Sequence, residues 1–298
     1  MLKTFGDLGR PEGTDPVVAV VTGATGGIGQ EIVRGLLAAG AVVVVGVRSP
    51  DKGEALWSER KGNAASGRIE ILPLDLADMQ SVREFAAQVR RDYPSLNILI
   101  NNAGAWFNER RETAAGHELT LATNVLGPYL LTKLLQPQLR ASGQSRIVNI
   151  VSAAVGDFDL NDLQWRTRRY SGFRAYRQSK QALHMLTQQL ARTLKDTGVV
   201  VNAASPGFVR TSFLRNASGL VAAGLRAISF LAVSPAKGAE TPLWLALSPE
   251  TAGSTGKLYE NLKEKAGPSY QADELERLAQ EVERLTASDE VFPREVSP

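Results

Sequence analysis

The chain has no cysteine and only two histidines, His117 and His184, which stand far apart. Without a thiol there can be no disulfide staple, no thiolate nucleophile and no cysteine–metal site. Two distant imidazoles do not make a histidine-rich metal centre. No window of about 18 uncharged apolar residues occurs, so no transmembrane helix is expected. Residues 1–16 form a polar N-terminal extension without the apolar core of a signal peptide, and a cytoplasmic location is expected. The formal net charge is only +3, with Lys and Arg spread along the chain, which gives no nucleic-acid signature. What remains, 43% hydrophobic and 22% charged residues over 298 positions, is an ordinary globular composition with length for a sizeable core.

The hydrophobic pattern alternates. Val17–Val21 is a short β-branched run of the kind buried on both faces of a sheet. It leads into a glycine-rich turn and a helical pattern that ends at Gly40. Further strands are expected at Val42–Val47, Ile69–Leu74, Ile98–Asn101, Arg146–Val151, Val199–Ala203 and Lys257–Tyr259. Helices are expected between them over about 51–60, 81–91, 116–139, from near Tyr176 to Leu194, and over 235–247. Such alternation implies right-handed crossovers. The expectation is one doubly wound α/β domain of the Rossmann type, with about seven parallel strands and helices on both faces. Two stretches break the alternation, 156–173 and 205–234. Residues 272–286 read as an amphipathic helix with leucines at 275, 278 and 285, and 287–298 as a tail.

The turn after the first strand has the spacing Gly23-x-x-x-Gly27-x-Gly29, with Thr25 and Ile28 between the glycines. Glycines there let the backbone come close to a pyrophosphate resting on the helix N-terminus. At the end of the second strand, where an acid would hold the 2′-hydroxyl of NAD, the chain has Val47-Arg48-Ser49. The planar fork of Arg48, with Ser49 as a second donor, suits a 2′-phosphate and points to NADP(H). Asp75, followed by Leu76 at the end of the third strand, suits the adenine amino group or a helix N-terminal charge.

Tyr176 and Lys180 stand at i and i+4, so their side chains share one helix face. A tyrosine alone is a poor acid or base near neutrality, and an ammonium one turn away favours its phenolate. Taken alone, the pair reads equally well as a half-buried core ring and a surface charge. The pattern becomes specific in company with Ser152 after the fifth strand, Asn101-Asn-Ala-Gly104, and Ser205-Pro-Gly207. In that order, with the first glycine turn, these motifs closely resemble the short-chain dehydrogenase/reductase family, from about Val17 to Leu262.

The resemblance implies that Ser152 polarises a substrate carbonyl and Tyr176 carries the proton. It implies that Lys180 tunes the tyrosine and holds the nicotinamide ribose, and that Asn124 anchors a water leading to the lysine. Asn102, Ala103 and Gly104 would line the adenosine side. Pro206 and Gly207 would pass near the nicotinamide, with Val209 and Thr211 completing the NADP(H) set. It also implies a homodimer or homotetramer built through the long helices. The long gap from Ser152 to Tyr176, the run Val47-Arg-Ser-Pro-Asp-Lys-Gly-Glu54 and the ending Gly256-Lys-Leu-Tyr259 are similar to the retinol dehydrogenase and WW-domain oxidoreductase subgroup. That subgroup implies a retinal-like apolar aldehyde or ketone. Protochlorophyllide reductases share the frame, but their active-site cysteine has no counterpart here.

The nearly apolar stretch 219–233 reads as a core helix, a lid over an apolar substrate, or a membrane-contact patch. The arginines at 166, 168, 169, 174 and 177 read as a solvated charge run or as attraction for an anionic substrate group. From a different class, a cofactor-binding sensor without turnover would use the same fold, although it would not need the complete Ser/Tyr/Lys set.

Overall fold

A computed structural model of the chain describes residues 16–58, 67–207 and 233–287. Eight strands form one sheet: β1 (Val18–Thr22), β2 (Val42–Val47), β3 (Arg68–Pro73), β4 (Ile98–Asn101), β5 (Ser145–Ile150), β6 (Val199–Ser205), β7 (Leu258–Glu260) and β8 (Lys263–Lys265). Their order is β3-β2-β1-β4-β5-β6-β7-β8, and every pair is parallel except the last. The strand order reverses beside β1, which opens a crevice at the C-terminal ends of β1 and β4.

The seven parallel strands lie within a residue or two of their expected positions. The eighth adds an edge that the pattern did not reveal. Lys263-Glu264-Lys265 is charged and exposed throughout, so it carries no apolar alternation. It forms because Asn261 and Leu262 both take positive φ (51° and 62°), the geometry of a two-residue hairpin turn. The ion pairs Lys257–Glu264 and Lys265–Glu260 tie the hairpin together and leave a charged, association-resistant edge.

Helices cover both faces: α1 (Gly27–Ala38), α2 (Pro50–Ser58), α3 (Met79–Asp92), α4 (119–141), α5 (Gly172–Thr193), α6 (Pro235–Leu247) and α7 (Ala272–Ala287). Because successive strand residues point to opposite faces, β1 sends Val18 and Val20 to one core and Ala19 and Val21 to the other. The first core packs under α3, α4, α5 and α7, with Phe85, Leu131, Leu186 and Leu278 among its buried side chains. The second packs under α1, α2 and α6, with Ile32, Leu36, Trp57 and Leu245. The amphipathic α7 lays Leu275, Leu278, Val282 and Leu285 onto α4 and α5. It is held there by Arg83 donating to Thr286 O at 2.9 Å and Tyr129 donating to Glu283 at 2.9 Å.

Two features aim the site. The first is a buried polar ladder through the sheet: Asn101 Nδ2 donates to Asn149 Oδ1 (2.8 Å) and to Thr132 Oγ1 (3.1 Å), and Asn149 Nδ2 donates to Thr187 Oγ1 (2.8 Å). It fixes β4 and β5 against α4 and α5, and buried amides demand such partners. The second lies in α4, expected as an ordinary helix. It begins as one α-turn (Leu119–Leu121), widens into a π-turn (Ala122–Leu126) and resumes as α-helix (Gly127–Ala141). Such bulges gather at functional sites, and this one carries Asn124.

Immediately after it, Gly127 passes so close to the loop beyond β3 that a Cβ there would sit 2.2 Å from Leu76 O. Gly127→Ala should destabilise the protein by about 2 kcal/mol despite alanine's better helix propensity, read as a lower urea midpoint.

Candidate active site

The cradle begins with α1, whose N-terminal Gly26 supplies no side-chain cap and whose first turn holds no acid. Its leading N–H groups and the positive end of its dipole therefore remain available to an anion. By contrast, α3 and α6 are capped by the side chains of Asp78 and Ser234. The turn feeding α1 leaves no room for side chains: Gly23 has φ +68°, and a Cβ on Gly29 would stand 2.2 Å from Gly23 O. Asn102 knits the β1 and β4 loops, donating to Thr22 O (2.9 Å) and Gly23 O (3.1 Å). The backbone N–H groups of Asn102 and Ala103 both donate to Thr22 Oγ1 at 3.1 Å. So Asn102 shapes the cradle, its amide donors spent on backbone, and Thr22 is a tie that motif spacing alone did not mark.

Arg48 lies just past β2, exposed and without an ion pair among the described residues; Ser49 is half-buried beside it. Asp75 spends one carboxylate oxygen on Ala77 N–H (2.9 Å), and the α3 cap is Asp78. Asp75 is thus an anchor of the loop, its own N–H donating to Ser81 Oγ at 3.0 Å. Leu76 is buried. These features fit a dinucleotide: a close backbone approach and an uncapped helix end.

The reacting end is carried by β5, α4 and α5. Ser152 stands two residues past β5, its Oγ accepting from Ala154 N–H at 3.0 Å, and its side chain is hydrogen-bonded to Tyr176. Lys180 is 3% exposed and its Nζ donates to Ile150 O at 2.8 Å. It lies 5.9 Å from the centre of the Tyr176 ring, and a Cβ on Gly104 would meet it at 3.3 Å. Asn124 is fully buried, its Oδ1 accepting from Ala105 N–H (2.7 Å) and its Nδ2 donating to Ala105 O and Ser179 Oγ (both 2.9 Å). Its side chain therefore clamps the loop after β4 to α5. Pro206 and Gly207 follow β6 at the same end of the sheet, Gly207 with φ +72°. Val209, Thr211 and residues 219–232 of the apolar stretch lie outside the described residues.

Burial dominates the electrostatics. It pushes the Tyr176 phenol up to about 12, against a downward pull from Ser152. It brings Lys180 down to about 8. The lowering expected from the lysine is absent: the only downward pull comes from Ser152, and the ammonium is turned toward Ile150 O. Tyr176 itself is half-buried.

The arginines at 166, 168, 169, 174 and 177, in and just after the 156–173 insert, split into two groups. Arg177 donates to Val155 O and pairs with Asp157, as does Arg174. Arg168 binds Asp162 and lies 4.0 Å over the ring of Trp165, which is buried at φ +53°. Those three hold the insert together; Arg166 and Arg169 are the exposed remainder. A cavity of about 330 Å³ sits at the opposite end of the sheet, lined by Arg146, Lys195 and Asp196 among others. It contains none of the reacting groups.

A nucleotide cradle and a Ser/Tyr/Lys set on one crevice define a nicotinamide-dependent oxidoreductase. The sequence profile of the short chain dehydrogenase family matches residues 17–219, and the chain belongs to that family. Human retinol dehydrogenase 13 is 37% identical over 93% of this chain and 86% of its own length. Mouse polyprenol dehydrogenase is 40% identical over 91% and 84%. Among solved structures, an uncharacterized protein from Mycobacterium paratuberculosis superposes with a TM-score of 0.72 at 31% identity, covering 96% of this chain and 97% of that one. The RhlG/NADP active-site complex of Pseudomonas aeruginosa gives 0.67 at 28% identity over 87% and 97%. The protein is therefore an oxidoreductase acting on CH–OH or C=O groups with a nicotinamide cofactor.

Asp162 offers a test of the insert. Burial alone would raise its carboxyl, but hydrogen bonds from Arg166, Thr167 and Arg168 outweigh that and hold it at about 2. A depressed carboxylate contributes its stability above the unfolded value and loses it as pH falls through the folded one. Asp162→Asn should cost about 2 kcal/mol at pH 7. The difference from wild type should shrink between about pH 4 and pH 2 in denaturant titrations.

Proposed function

We propose that the protein is an NADPH-dependent reductase of apolar aldehydes or ketones, with long isoprenoid-like carbonyls as its best substrates. The observation that carries this reading is the Ser152–Tyr176 hydrogen bond beside the buried ammonium of Lys180. The two hydroxyls converge where a carbonyl oxygen can accept from both, which polarises it and orients its carbon. The phenol is protonated at neutral pH, so it can give its proton to the oxygen of a reduced carbonyl. Lys180, charged below about pH 8, offsets the negative charge left on the phenol. The bound nicotinamide supplies the hydride, and the chain supplies binding, orientation and the proton.

Preference for NADPH is supported by Arg48, exposed just past β2, whose planar guanidinium would match a 2′-phosphate. The substrate class is supported by the relatives, dehydrogenases of retinol and of polyprenol. It is also supported by the rings of Trp106, Phe173 and Tyr176 at the crevice. The insert arginines bound to Asp157 and Asp162 argue against a dedicated anion pocket there.

The test is NADPH consumption against aldehydes and ketones graded from short and polar to long and apolar. Turnover should rise with apolar length, and Tyr176→Phe should lower it about a thousandfold with NADPH affinity unchanged. Activity confined to small polar carbonyls would remove the isoprenoid class. NADPH binding with no turnover on any member would leave a cofactor sensor instead. Separately, Arg48→Asp should reduce the NADPH-over-NADH preference at least about tenfold; an unchanged ratio would refute the NADPH assignment.

A further inference from the structure

We infer that Trp106 is a positioning residue for Tyr176, holding the plane of its phenol by ring stacking and keeping water from that face. The inference rests on the reading of Tyr176 as the proton donor.

The indole lies on the phenol ring at a centroid distance of 5.9 Å with only 18° between the planes, a stacked geometry. Its other neighbour is Phe173, at 5.5 Å and 38°, whose ring also meets the Arg177 guanidinium at 5.7 Å. Trp106 is 5% exposed, so the stack is a buried one. Phe173 lies one turn before Tyr176 on α5, so the row braces the catalytic ring from a loop and from its own helix.

Both ends of the brace are fixed. Trp106 directly follows Ala105, whose N–H and C=O are both bound by the Asn124 side chain in the π-turn of α4. Asn124 also donates to Ser179, the neighbour of Lys180. The loop carrying the indole is therefore tied to the helix carrying the phenol. At the other side, α5 starts at Gly172, where a Cβ would stand 2.1 Å from Phe107 O and 2.7 Å from Trp106 Nε1. Only glycine admits this approach. Rotation about Cα–Cβ would swing the tyrosine hydroxyl off the carbonyl, and a flat partner against one ring face blocks that swing. The electron-rich indole face and the exclusion of water both disfavour an anion on the phenol, so the stack also helps to keep the proton on.

The test compares wild type with Trp106→Leu, Trp106→Phe and Tyr176→Phe, by carbonyl reduction and by spectrophotometric titration of tyrosinate, using Tyr176→Phe to isolate the Tyr176 signal. Trp106→Leu should lower kcat about ten- to a hundredfold with the KM for NADPH unchanged. It should also move the Tyr176 titration down by about one unit, with Trp106→Phe restoring most of both. Gly172→Ala, which displaces the indole from the other side, should reproduce the downward titration shift. A folded Trp106→Leu protein with wild-type kcat and titration would overturn the inference. So would a loss of melting temperature with the titration unmoved, which marks mere packing. If Tyr176→Phe stays active, the proton-donor reading itself fails, and that outcome is separate from either of these.

Discussion

The site depends on carrying an ammonium into the interior. Lys180 sits beneath the crevice at 3% exposure, with Ile150 O at 2.8 Å as its hydrogen-bond acceptor. Leaving a charge there is costly unless a fixed dipole meets it, so β5 and α5 must hold a constant separation. The amide and threonine ladder through Asn101, Asn149 and Thr187 provides that register. The strain is visible in the lysine's depressed pKa and is retained because the charge is useful only where water is scarce. Structural economy would replace Lys180 by an apolar side chain; in the proposed mechanism its charge is what offsets the phenolate.

Above that level the site is assembled by backbone ties. Thr22 and Asn102 lock the two loops at the switch point of the sheet, and Asn124 locks the second loop to α5. Glycines stand where chains pass within contact: Gly29 against Gly23, Gly127 against Leu76, Gly172 against Phe107. The consequence is a crevice whose polar atoms are aimed before any ligand arrives, which is the pre-organisation that proton and hydride transfer require.

Much of this could be read in the sequence, for identifiable reasons. Buried parallel strands print as near-continuous apolar runs, so Val42–Val47 and Ile98–Asn101 declared themselves. Tyr176 and Lys180 are separated by one helical turn, so their sequence spacing is also their spatial relation. The eighth strand was illegible because a charged edge hairpin has no apolar period and is formed by its turn. The π-turn at Ala122–Leu126 leaves no compositional trace; it is a response to packing between the β4 loop and α5. Trp106 escaped notice because an aromatic residue after Asn-Asn-Ala-Gly-Ala looks like any core residue until the stacking partner is known. The arginines of the insert looked like a single cluster, but their division into structural and exposed members depends on Asp157 and Asp162, which reach them only through the fold.

The most direct test of this account is the titration of the Lys180 amine, followed by nitrogen NMR of isotopically labelled lysine and assigned with Lys180→Met. The structure predicts that Nζ loses its proton near pH 8, far below a solvated lysine. A resonance titrating together with the surface lysines would contradict it, and would mean that the ammonium at the base of the crevice is not buried.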